Sequence, residues 1–136
     1  MTPSEIEVEG VVHEQPAEGL FGYFKVKEAV GDRLRIVGWA FAEAEAVAAV
    51  EVVVARKVIA TTVPATPRPD VAELYPQIPS SLTSGFEIEI EARGGGRSEL
   101  AVIAVTAAGE RYSLGSLTVD VTQTRGSRWP WKAERA

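Results

Sequence analysis

The stretch SGFEIEIEA, residues 84–92, constrains the chain more than any other. Phe86, Ile88 and Ile90 fall on one side of an extended strand, and Glu87, Glu89 and Glu91 fall on the other. That separation has a period of two, which a strand satisfies and a helix does not. The glutamate face must stay wet, so the apolar face needs a second layer to cover it.

The rest of the chain supplies that layer as more strand. Apolar or alternating runs at 20–30, 33–41, 47–55, 58–63, 98–107 and 111–121 are separated by turn residues. With 84–92 they make about seven antiparallel strands and predict an all-β sandwich. SELAVIAVTA, residues 98–107, is apolar on both faces and reads as a central strand. Arg56-Lys57 reads as the tight turn of a hairpin. In RLRIVGWAF, Gly38 interrupts the alternation, and a bulge there would turn Trp39 and Phe41 from the arginine face toward the core. Residues 1–19 read as a flexible leader or an edge strand, 20–122 as the sandwich and 123–136 as a basic tail.

RPDVAELYP, residues 68–76, is the most motif-like segment. Asp70 with Glu73 has the spacing of a helix capping box, and Pro76 closes the turn. The spacing predicts one short helical turn near 70–75, with Val71 and Leu74 packed on a sheet edge. Arg68 is expected to pair with Asp70 or with a glutamate of the next strand. Arg68, Asp70 and Tyr75 are also the candidate ligand-binding residues, since loops held by a rigid scaffold carry binding groups.

In sequence order, GWAF, then VAAVEVVV, then RPDVA with YP, then SGF resemble a bacterial immunoglobulin-like module, over roughly residues 20–121. Modules of this look accompany glycosyltransferase or methyltransferase domains acting on surface glycans. The resemblance implies an immunoglobulin-like sandwich with a non-catalytic accessory role. It carries over no ligand residues. FKVKEAV and ARKV replace the aspartate-rich opening and V-D-G turn of that pattern.

Chemistry and charge narrow the function classes. The chain has one histidine, His13, which is expected to be solvent-exposed in the leader, and no cysteine. One histidine without cysteine supplies neither a nucleophile–base set nor a zinc site. No enzyme activity, metal or cofactor is therefore expected. The formal net charge is −5. From Arg125 onward, Arg125, Arg128, Lys132 and Arg135 face only Glu134, a local +3 that leaves −8 for the remainder. An acidic body opposes nucleic-acid binding, which needs clustered cations. MTPSEIEVEG lacks the basic-then-apolar order of a signal peptide, and no apolar run reaches the ~18 residues of a membrane span. The expected location is cytoplasmic, unless the chain is part of a longer protein.

Two functions follow as expectations. The first is a binding module that holds or positions a glycan, or a glycan-modifying enzyme. The second is a protein-interaction or self-assembly module that uses Arg128, Trp129 and Trp131 of the tail, because Trp and Arg dominate binding hot spots.

Overall fold

The computed structural model describes residues 4–14, 19–91 and 95–123. Its strands are β1 (Ser4–His13), β2 (Leu20–Val30), β3 (Arg33–Ala42), β4 (Val47–Val54), β5 (Lys57–Thr62), β6 (Gly85–Glu91), β7 (Gly96–Thr106) and β8 (Arg111–Gln123). A short helix α1 (Pro69–Leu74) and a 3-10 turn (Pro79–Thr83) lie between β5 and β6. The strands form two antiparallel sheets, β1-β8-β7-β4-β5 and β2-β3-β6. The all-β sandwich is thus the observed architecture, with eight strands rather than about seven. β7 is the middle strand of its sheet, as its two apolar faces require.

Alternation places the core. Phe86, Ile88 and Ile90 are buried on the inner face of β6, opposite Val50 and Val52 of β4 and Leu100, Val102 and Ala104 of β7. Glu87, Glu89 and Glu91 stand on the wet outer face. There they meet the cations of β2 and β3. Arg33 Nη1 lies 2.8 Å from Glu89 Oε2, and Lys27 Nζ lies 3.6 Å from Glu87 Oε1. Arg35 Nε lies 3.2 Å from Glu87 Oε2 as an ion pair rather than an aligned hydrogen bond.

The added strand is the expected leader. β1 pairs with β8 from Ser4↔Gln123 to His13↔Gly115, with a bulge between Val8 and Gly10. The bulge breaks the alternation that SEIEVE begins, so of the two readings of 1–19 the edge strand is the one observed for Ser4–His13. Ile6 is buried, and its amide donates to the Gly31 carbonyl at 2.8 Å. His13 is exposed but held: Nε2 lies 2.7 Å from the Phe24 carbonyl oxygen, and its ring stacks on Tyr23 at 4.5 Å.

The expected bulge at Gly38 is not formed. β3 pairs in unbroken register with both neighbours through Gly38, and the irregularity in the β2–β3 hairpin falls at Val26/Glu28. Trp39 and Phe41 therefore stay on the arginine face and do not pack between the sheets. Gly38 instead faces the core, where a Cβ would run into the Tyr23 carbonyl and lie 2.9 Å from the Phe86 ring. The β4–β5 turn is offset by one residue from expectation. Its central residues are Ala55 and Arg56, with φ of 51° and 69°. Two positive φ values match the right-handed twist of a two-residue hairpin.

Candidate functional site

Trp39 and Phe41 are apolar, yet they lie on a solvent-side face, so something must cover them. The segment from Thr62 to Gly85 does so. Pro64, Pro67 and Pro69 deny it the amides needed to continue β5. It crosses to the other sheet and pairs briefly with β6, where Gly85 N donates to Thr66 O at 2.9 Å. α1 then lays Val71 over the outer face of β2 and β3. Phe41, Val71 and Ile78 form a second buried cluster, with Phe21, Trp39 and Tyr75 half-buried around it.

The aromatic rings are in mutual contact. Tyr75 lies 5.0 Å from Phe21, 5.0 Å from Phe41 and 6.3 Å from Trp39, between ring centroids. Trp39 lies 5.7 Å from Phe41, and its cross-strand partner on β2 is Tyr23, which is 43% exposed. Phe21, Trp39 and Tyr75, joined through Phe41, therefore give one contiguous aromatic surface that solvent reaches from outside, and Tyr23 flanks it on the same face, stacked on His13. Ring contacts at these separations and tilts are favourable pairings.

Buried serines fix the Tyr75 backbone. Ser81 Oγ donates to the Tyr75 carbonyl at 3.2 Å, and Ser84 Oγ donates to the Ser81 carbonyl at 2.7 Å. Both serines are 1% exposed. The Tyr75 carbonyl also accepts from the Ile78 amide at 3.1 Å, so the Ser81 hydroxyl adds a second bond to it. The sequence reading missed these two residues. PSSLTS carries ordinary turn composition, and only the tertiary position shows that the hydroxyls point inward.

Arg68 and Asp70 form the polar rim. A Cβ at Gly85 would lie 2.9 Å from Arg68 Cγ, so the arginine stem crosses the strand where glycine leaves room. Gly85 pairs with Trp39, which brings Arg68 beside the aromatic surface. The guanidinium grips Asp70 with two bonds, Nε to Oδ1 at 3.0 Å and Nη2 to Oδ2 at 2.8 Å. The Arg68 hydrogen bonds hold the Asp70 carboxyl below its usual range, and the same bonds raise Arg68.

The expected capping box is absent. Arg68 is the N-cap, Pro69 opens the helix, and no side chain caps it. Pro69 at the first helical position moves Asp70 one place inward, where Arg68 captures it. Leu74 also departs from expectation: it is 73% exposed, while Val71 is buried. The second inward place is taken by Tyr75, four residues after Val71, rather than by Leu74, three after it.

The structure thus brings Arg68, Asp70 and Tyr75 to one side of the sandwich, with Phe21, Tyr23 and Trp39 added. Arg128, Trp129 and Trp131 lie outside the described residues. Among the described residues no group of three or more His, Cys, Asp or Glu is placed to hold a metal ion. Among them, too, no helix is long and apolar enough to cross a membrane. No family model matches the chain, and neither curated proteins nor solved structures give a match.

Proposed function

We propose that this domain is a non-catalytic, immunoglobulin-like module that binds a glycan, or presents one to a glycan-modifying enzyme, at the aromatic end of its three-stranded sheet. The observation that carries this reading is the contiguous Phe21–Trp39–Tyr75 surface, flanked by Tyr23 and bordered by the Arg68–Asp70 pair. Flat aromatic faces suit the apolar faces of sugar rings, and a few fixed polar groups set orientation. The bidentate pair is ordered before any ligand arrives, so little side-chain freedom is lost on binding. Strand order supports the immunoglobulin-like part of the reading. β8, β7 and β4 lie side by side as G, F and C strands do, and β6 returns beside β3 as E returns beside B.

A glycan array of bacterial surface polysaccharides tests the proposal. The full chain retains at least one glycan class. Arg68→Ala and Tyr75→Ala each weaken retention about tenfold, equivalent to about 1.4 kcal/mol. Circular dichroism of each variant separates loss of the site from loss of the fold. A folded wild-type chain that retains no glycan overturns the reading.

A further inference from the structure

β3 begins at a concavity, at the opposite end of the sandwich from the aromatic surface. Leu34 lines a cleft there of ≈ 520 Å³ between the two sheets. Its floor is apolar, with Leu34, Leu100 and Val119 buried beneath it. Val58 and Ile59 stand at its mouth, 45% and 44% exposed. Cavities of ~300–1,000 Å³ are the size that proteins use to enclose ligand groups.

We propose that this cleft receives Trp129 and Trp131 of the same chain. Val121 lines the cleft, and β8 ends two residues later at Gln123, so the last described residue lies close to the cleft. Trp129 follows Gln123 by six residues. An extended chain covers about 20 Å over that length, whereas the sheets of a sandwich lie ~10 Å apart. Reach is therefore ample, and the short tether keeps the local concentration of the indoles high. Pro130 between the tryptophans opposes a helix and favours an extended strip.

Charge agrees with this occupant. The segment carries Arg125, Arg128, Lys132 and Arg135 against Glu134. Glu89 and Glu91 border the cleft with one lining cation, Lys57; Glu89 is already paired with Arg33 and Arg35, which leaves Glu91 as the carboxylate for the tail cations. Glu91 stands in no ion pair among the described residues.

Nitrogen-15 NMR of the full chain tests the assignment. Replacing both tail tryptophans (Trp129→Ala/Trp131→Ala) should shift the amides of Val54, Val58, Ile59, Glu91 and Ser98. The amides of Trp39 and Tyr75 should not move. In a second variant, Val58→Arg at the exposed mouth, both tail indole signals should move to the positions they take in a synthetic 124–136 peptide. Cleft amides that do not respond to the double replacement overturn the proposal, as do indole signals that Val58→Arg leaves in place. A response that grows with protein concentration also overturns it, because the occupant would then be the tail of a second copy. The readout lies at the opposite end of the domain from the glycan surface, so either proposal can fail without the other.

Discussion

Gly38 and Arg33 show how single positions are decided by what surrounds them. At Gly38 the Tyr23 carbonyl, the Phe24 backbone and the Phe86 ring occupy the space a side chain would need. Gly38→Ala should lower stability by about 1–3 kcal/mol through overpacking, read as a fall in the urea midpoint at unchanged slope. At Arg33 the partner sets the outcome. Glu89 is held below the usual glutamate range chiefly by its hydrogen bond from Arg33, with a smaller contribution from Arg35. A carboxylate depressed in the folded state stabilises it above the unfolded titration range, and that contribution is lost as pH falls through the folded value. Arg33→Gln should therefore raise the Glu89 titration toward the ordinary range, and Arg35→Gln should raise it less. Carbon-13 titration of the side-chain carboxyls distinguishes the two, and equal shifts would contradict the hydrogen-bond ranking. The glutamate row itself was legible from EIEIE. The identity of its partners was not, because strand register across β2 and β3 is not written in β6 alone.

Elements divide by whether their logic is local. β6, β7 and β8 could be read because burial on one or both faces leaves a pattern within each strand. β3 was misread at Trp39 because its outer face is covered by α1, thirty residues further along the chain. A half-buried aromatic on a charged face looks from sequence like an error that a bulge must repair. The same distance explains the candidate site: Arg68, Asp70 and Tyr75 were visible as a group in one loop, whereas Phe21, Tyr23 and Trp39 join them only through the fold. The β4–β5 hairpin offers a separate test. Ala55 and Arg56 both hold positive φ without being glycine or asparagine. Left-handed geometry costs ordinary residues about 1–2 kcal/mol each, so Ala55→Asn/Arg56→Gly should stabilise the chain. A gain of about 1 kcal/mol would raise the melting temperature by roughly 3–5 °C for a domain of this size, measured by thermal denaturation. An unchanged midpoint would mean that the turn adopts another geometry in solution.

At the scale of the molecule, β1 determines where the folded unit begins. It covers the edge of β8, buries Ile6 and reaches across to Phe24 through His13. Without it, β8 would present a long unpaired edge, which is a template for association. Deleting residues 1–13 should remove about 1.5–3 kcal/mol from Ile6 burial alone, beyond the lost ladder. Light scattering should detect self-association of the shortened chain, and a monomer of unchanged melting temperature would refute the role given to β1. The sequence offered an edge strand over 1–19 as one of two readings, and Val11 and Val12, adjacent and both exposed, gave no alternation to carry it through to His13. The pairing Ser4↔Gln123 has another consequence. Partnered residues of neighbouring strands lie about 5 Å apart, so the described backbone of residues 4–123 begins and ends at one corner. The unit can therefore be spliced into a surface loop of a host protein without prising that loop apart. Conversely, a short linker from Gln123 back to Ser4 would allow new ends to be cut elsewhere, for example in the Ala55–Arg56 turn.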